Sequence, residues 1–145
     1  MKKWKISSLK IENFKPFENT SIDFRTASMI TLDGPNGFGK TSIFDALELL
    51  FTGVIQRIIN TNEATVAKRS RKKQFEENIY WNRKKEGDIA IRVELINQDS
   101  GESIFLARVA SVADLLNPDN NAPDNFSIFK LYEINSIDSN RFGED

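Results

Sequence analysis

One eight-residue stretch constrains the fold of this 145-residue chain more than any other feature. Residues 34–41 have the spacing Gly-x-x-x-x-Gly-Lys-Thr, and they lie between an apolar strand-like run at 29–32 and an apolar helix-like run at 42–51. A glycine-rich turn between a strand and a helix lets successive backbone N–H groups converge on a phosphate, at the positive end of the helix dipole. The sequence therefore predicts an α/β fold with a nucleotide-triphosphate site.

The side chains of this loop suit the same chemistry. Lys40 can place a point charge near the β- and γ-phosphates and is the candidate catalytic residue. The Thr41 hydroxyl is the candidate Mg²⁺ ligand. The expected cofactors are ATP and Mg²⁺.

Composition narrows the remaining classes of function. The chain has no cysteine and no histidine. This excludes disulfides, zinc sites built on those residues and Ser/His or Cys/His nucleophile pairs, and it favours a reducing, cytoplasmic setting. No apolar stretch is long enough for a membrane span or a signal peptide, so no membrane partner is expected.

Residue periodicity predicts the other elements. Residues 4–11 and 21–24 are expected to form two paired strands. Residues 41–51 predict a helix that is apolar on most sides and therefore buried. Gly53 is its expected C-cap, and 54–59 are expected to form another turn or two. Residues 89–95 and 104–109 predict a β-hairpin around a turn at 97–101, followed by a third strand over 126–134. We therefore divide the chain, 1–145, into strands, loop and first helix at 1–60, a basic loop or helix at 61–88, and an antiparallel β-subdomain at 89–137.

The middle segment concentrates positive charge. Residues 57–92 carry ten basic and five acidic side chains, with basic runs at 68–73 and 83–85. These runs would add sequence-independent affinity for DNA phosphates, or they form a solvated loop, which is the more ordinary interpretation. Tyr80 and Trp81 could stack on a base, but packing is the commoner role of such a pair.

Two features in order carry a family resemblance. Residues 9–17 read Leu-Lys-Ile-Glu-Asn-Phe-Lys-Pro-Phe, and the loop is followed by the pair Asp45-Ala46. Together they resemble the N-terminal lobe of ABC-type ATPase heads, and more closely those of the SMC, RecF and break-repair families. The resemblance implies a P-loop NTPase lobe with a mixed sheet and an antiparallel β-subdomain around a buried P-loop helix.

The resemblance also implies residue roles. Backbone N–H groups of Gly37, Gly39 and Lys40 would hold the β-phosphate, and Ser42 would reach the α-phosphate. Lys15 occupies a position where these families often have a basic residue near the nucleotide; the alternative is an exposed turn lysine. Phe38 stands where Ser or Ala is commoner. The complete predicted nucleotide-binding set is Gly34, Asn36, Gly37, Phe38, Gly39, Lys40, Thr41, Ser42 and Lys15.

The implied function is ATP-driven dimerisation with a second head, in a homodimer that acts on DNA without sequence specificity, in genome maintenance or anti-phage defence and with a nuclease or other effector. Hydrolysis would need a C-terminal lobe, a coiled coil, a signature motif and an acidic pair expected beyond residue 145; Glu76-Glu77 is expected to be surface. Two alternatives stay open: the ATP-binding subunit of an ABC transporter, and an interaction module that binds nucleotide without hydrolysing it.

Overall fold

A computed structural model describes residues 3–15, 17–24, 40–56, 58–59, 81, 87–117, 119 and 126–139, with the backbone alone for Lys40 and Thr41. The predicted strand at 29–32, most of the phosphate-binding loop, most of the basic segment and Tyr80 lie outside the described residues. The expectations for those parts therefore stay predictions.

The described elements include five strands and two helices, and Gln56, Ile58 and Ile59 are also helical, as predicted for another turn or two over 54–59. The strands are β1 (Trp4–Phe14), β2 (Phe17–Asp23), β3 (Ile89–Asn97), β4 (Ser103–Ala110) and β5 (Lys130–Ile134), and the helices are α1 (Lys40–Thr52) and α2 (Val112–Leu116). The strands form one sheet in the order β2-β1-β3-β4-β5, and every described pair is antiparallel. The strands predicted within 1–60 and within 89–137 thus share a single sheet, through the β1–β3 pair.

Alternation along the strands gives the sheet two different faces. Leu9 and Ile11 of β1 are opposite Val93 and Ile91 of β3, and these four side chains belong to the main core together with α1. The residues between them point to the other face, because successive side chains of a strand alternate. The predicted period-2 pattern of residues 89–95 is confirmed.

The β3–β4 turn has the chemistry that its sequence predicts. The Asn97 side-chain oxygen accepts hydrogen bonds from the N–H groups of Asp99 and Ser100, at 2.9 and 3.1 Å. Gly101 has φ of 76°, a left-handed conformation that glycine adopts without steric cost. An asparagine that bonds its own turn and a glycine at the left-handed position close the hairpin.

Helix α1 is buried on one side only. Ala46, Leu49 and Leu50 are fully buried against the sheet, whereas Phe44 is 62% exposed and Phe51 is 48% exposed. The expectation of a helix buried around most of its circumference was therefore wrong. The predicted C-cap is confirmed: Gly53 has φ of 83° and its N–H donates to the Leu49 carbonyl at 2.9 Å.

Two further segments differ from the sequence-based expectation. The predicted strand 126–134 is β-structured only from Lys130, since Phe126 to Phe129 form a turn with a 3.1 Å backbone hydrogen bond. Helix α2 was not predicted. Ser111 caps it, because its hydroxyl accepts the Asp114 N–H at 3.1 Å.

Candidate functional site

The helix that follows the loop begins where the sequence requires. Lys40 is the first residue of α1, and Thr41 and Ser42 lie in its first turn. The first N–H groups of a helix have no partner within the helix, and the helix dipole gives that end a partial positive charge. The start of α1 is therefore an end of the helix at which an anion is favoured. The residues Gly34, Asn36, Gly37, Phe38 and Gly39 lie outside the described residues.

Lys15 is not an exposed turn lysine. Its ammonium nitrogen lies 2.7 Å from Oδ2 of Asp45, in an ion pair whose side chains are only 18% and 8% exposed. Lys15 follows β1 directly, and Asp45 lies in the second turn of α1. Lys15 is the one member of the predicted nucleotide-binding set that lies outside residues 34–42. The ion pair connects it to α1, the helix that follows the loop.

The turn that carries Lys15 has an unusual backbone. Asn13 and Lys15 have φ of 55° and 52°, in the left-handed region that residues other than glycine seldom adopt. Asparagine tolerates this region, and here its side-chain amide also donates to the Asp88 carbonyl at 3.0 Å. Lysine has no such advantage, so the surrounding contacts must hold it there. Strained backbone of this kind clusters at functional sites.

Contacts from the segment before β3 support this turn. Trp81 is 7% exposed, its backbone bridges to Phe14, and its indole N–H donates to the Gly87 carbonyl at 2.9 Å. Asp88 accepts the Val112 N–H at 2.8 Å and so ties β3 to the start of α2. For Trp81, the packing role is confirmed.

Arg108 of β4 binds the other end of α1. Its Nε and one terminal nitrogen donate to the carbonyls of Leu49 and Leu50, at 3.1 and 2.9 Å. These carbonyls belong to the last turn of the helix, where a cation is favoured by the helix dipole. Desolvation by burial lowers the pKa of the Arg108 guanidinium below its ordinary value. The two hydrogen bonds offset that desolvation.

A buried arginine lies on the opposite face of the sheet. Arg92 of β3 is 2% exposed and pairs with Glu12 of β1. Ala107 is its partner across the β3–β4 ladder, and that small side chain leaves space for a guanidinium. Lys10 extends the network, with its ammonium 3.5 Å from Glu12 and 3.1 Å from Asp138.

Sequence reasoning found the loop and Lys15 but missed Asp45, Arg92 and Arg108 as structural partners. Asp45 was named only as part of the pair that carries the family resemblance, and the structure buries it. A signal existed: a carboxylate within an otherwise apolar helical stretch needs a partner, and the nearby turn lysine is of the right charge. Arg108 had no comparable signal, because its partners are backbone carbonyls.

The chain matches a family model described as an AAA domain over residues 8–141. This match covers nearly the whole chain, and it includes most of the β1–β2 hairpin, α1 and the β3–β5 strands. The chain therefore belongs to the AAA domain family. This family is one of nucleotide-binding ATPases, and the described elements of the chain form an α/β fold.

Two relatives were also found. An uncharacterized protein of Methanocaldococcus jannaschii is 27% identical over 135 residues, which are 93% of this chain and 14% of that protein. An uncharacterized protein of Invertebrate iridescent virus 6 is 42% identical over 45 residues, which are 31% of this chain and 4% of that protein. The chain thus spans a small part of the length of both relatives. None of the helices among the described residues is long and apolar enough to cross a membrane.

Proposed function

We propose that this chain is the ATP-binding N-terminal lobe of an SMC-like ATPase that dimerises on ATP and acts on DNA. One observation carries the proposal: a complete phosphate-binding motif leads directly into α1, which begins at Lys40, in a chain that belongs to the AAA domain family over residues 8–141. The Asn13-Phe14-Lys15 turn and the Asp45-Ala46 pair favour the SMC-like group within that class.

The proposed site binds the triphosphate through backbone and side chains together. The N–H groups of Gly37, Gly39 and Lys40 hold the β-phosphate, in the positive field at the start of α1. The Lys40 ammonium neutralises β- and γ-phosphate charge. Ser42 lies in the first turn of α1, half-buried, and we assign it to the α-phosphate.

The residues at the start of α1 also suit Mg²⁺. Mg²⁺ prefers oxygen ligands and usually keeps several waters, with few protein ligands and the substrate phosphates completing its shell. The Thr41 hydroxyl at the start of α1 is the protein ligand that this arrangement needs. The metal supplies charge neutralisation between the β- and γ-phosphates when it is bound.

In the proposed mechanism, ATP binds between two heads and stabilises their dimer. Two heads would enclose two nucleotides, and each active site would be completed by a C-terminal lobe and by a signature loop from the second head. Closure or hydrolysis would then change how the attached segments and DNA are held. Genome maintenance or anti-phage defence, together with a nuclease or other effector, is the biological setting that we propose.

Nucleotide binding by the chain itself is the first test. A fluorescent ATP analogue would be titrated with Mg²⁺ into the wild-type chain, Lys40→Ala and the control Lys130→Ala, which removes an exposed lysine of β5. Loss of one charged phosphate contact predicts at least about tenfold weaker binding for Lys40→Ala and no change for Lys130→Ala. Equal binding by all three proteins would refute the nucleotide site.

Dimerisation and DNA action need a polypeptide that includes the remainder of the head. Its molar mass in solution would be measured with and without ATP, and its ATP hydrolysis with and without double-stranded DNA. The proposal predicts an ATP-dependent dimer and DNA-stimulated hydrolysis, both abolished by Lys40→Ala. A protein that binds ATP yet stays monomeric and unresponsive to DNA would instead fit a nucleotide-binding interaction module.

A further inference from the structure

The Lys15–Asp45 ion pair joins two parts of the molecule that are far apart in sequence. Lys15 lies in the β1–β2 turn and Asp45 lies on α1, thirty residues later, with a nitrogen–oxygen distance of 2.7 Å. Both side chains are largely withdrawn from solvent. A short charge-assisted hydrogen bond with little water around it fixes both groups far better than an exposed pair does.

The position of Asp45 on α1 brings the pair close to the proposed nucleotide. Asp45 follows Lys40, the first residue of α1, by five positions, which corresponds to about 7.5 Å along the helix axis. Helical side chains also tilt toward the N-terminus of their helix. The Lys15 ammonium, which pairs with Asp45, is therefore held within about two helical turns of the helix end where phosphate is expected.

The backbone at Lys15 has an unfavourable conformation, and the fold maintains the position of its ammonium despite this. A left-handed φ of 52° at a residue with a long side chain is unfavourable by about 1 kcal/mol or more. The ion pair with the Asp45 carboxylate stabilises this conformation. A lysine in an ordinary solvated turn would relax to a commoner backbone geometry.

We infer that Asp45 is a positioning residue, which holds the Lys15 ammonium toward the phosphates of bound nucleotide. The inference rests on the proposed nucleotide site and adds to it a residue that acts through Lys15. Asp45 itself does not contact the nucleotide in this arrangement. Its carboxylate selects one orientation of the lysine side chain before the ligand arrives, and so reduces the entropy that binding must otherwise remove.

The direction of the change in nucleotide affinity on removal of the Asp45 carboxylate tests this role. A carboxylate near a triphosphate repels it, so removal of the Asp45 charge alone should strengthen nucleotide binding. If Asp45 positions Lys15, its removal should weaken binding despite that relief. The direction of the change therefore separates a positioning role from a bystander charge.

The experiment is a double-mutant cycle of Lys15→Met and Asp45→Ala in this chain, with two readouts for each protein. The first readout is the Kd for a fluorescent ATP analogue with Mg²⁺, and the second is the melting temperature without nucleotide. Each single variant breaks this largely buried ion pair but keeps one of its charges, so each should melt at a lower temperature, whereas the double variant should recover part of the loss.

Affinity should follow a different pattern from stability. Lys15→Met should weaken binding by up to about tenfold, because it removes a cation held near the phosphates. Asp45→Ala should weaken it by up to about the same factor, as removal of a supporting partner does in other binding sites. In the Lys15→Met background, Asp45→Ala should cause no further loss, because there is no lysine left to position.

The matched control is Lys10→Met. Lys10 lies on β1, the strand that leads into the turn of Lys15, and its side chain is 20% exposed against 18% for Lys15. It pairs with Asp138 at 3.1 Å on the opposite face of the sheet. This variant should leave the Kd unchanged. Should Lys15→Met or Asp45→Ala fail to fold, as judged by circular dichroism, Lys15→Gln and Asp45→Asn replace them in the same cycle.

Three outcomes would overturn the inference. Unchanged or tighter binding by Asp45→Ala would make its carboxylate a bystander, and recovery of both affinity and stability in the double variant would make the pair purely structural. Both leave the proposed nucleotide site intact, provided that Lys40→Ala still loses binding. Equal binding by the wild-type chain and Lys40→Ala would remove the proposed site itself, and this inference with it.

Discussion

Replacement of Arg108 by Met should destabilise the fold substantially, although Arg108 is neither in the loop nor in the apolar core. The variant removes two hydrogen bonds from a cation to the Leu49 and Leu50 carbonyls, at 3.1 and 2.9 Å. Hydrogen bonds to charged groups contribute about 1.5–3 kcal/mol each. Burial desolvates the Arg108 guanidinium and lowers its pKa in the folded chain. The variant removes this unfavourable desolvation, which offsets part of the lost hydrogen-bond energy. We therefore expect a net loss of about 3 kcal/mol.

Urea-induced unfolding followed by circular dichroism measures this loss. For a chain of this size, about 3 kcal/mol corresponds to a fall of roughly 10 °C in melting temperature. Arg108→Lys keeps the charge but not the planar set of donors, so it should lose about half as much. The control Lys130→Met changes an exposed cation on the adjacent strand and should stay within about 0.5 kcal/mol of wild type.

The outcome that contradicts this reasoning is specific. Equal unfolding midpoints for Arg108→Met and Lys130→Met would mean that water replaces the guanidinium at the helix end without cost. A full loss in Arg108→Lys, equal to that of Arg108→Met, would assign the effect to donor geometry and leave no measurable share for the charge. An intermediate value for lysine supports both contributions.

Three further predictions concern stability and are measured in the same unfolding assay. Gly53→Ala should cost about 1 kcal/mol, because its φ of 83° disfavours any side chain; no loss would contradict the C-cap assignment. Leu50→Ala should cost about 2–5 kcal/mol and Phe44→Ala far less, since the first side chain is fully buried and the second is 62% exposed; equal losses would refute the one-sided burial of α1. Gly87→Ala should be destabilising because its Cβ would lie 2.9 Å from the Asn13 amide nitrogen, and Asn13→Ala in the same chain should remove that clash; additive losses would contradict it.

The local elements were predictable from the sequence because their signals are local. The alternation of Ile89, Ile91 and Val93, the turn chemistry of Asn97 and the glycine after α1 each act within a few residues. The strand order was not predictable in the same way. The β1–β3 pairing joins residues about eighty positions apart, and nothing within either strand specifies its partner beyond the pattern of apolar side chains.

The candidate site shows the same division between local and distant information. The loop motif and the start of α1 consist of consecutive residues, so one local pattern predicted both. The burial of Asp45 depends on a turn thirty residues earlier, so the residues of α1 alone do not indicate it. A buried ion pair places a polar side chain on an apolar surface, and its partner can be distant in sequence.

The two ends of α1 are thus fixed to the sheet by different cations. Lys15 pairs with the side chain of Asp45 near the start of the helix, and Arg108 binds the Leu49 and Leu50 carbonyls at its end. Apolar packing between these points is non-directional and would by itself tolerate rotation or sliding of the helix. Directional contacts at both ends remove that freedom. A helix held in this way presents its first N–H groups in a fixed direction, which is what a phosphate site at the start of α1 requires.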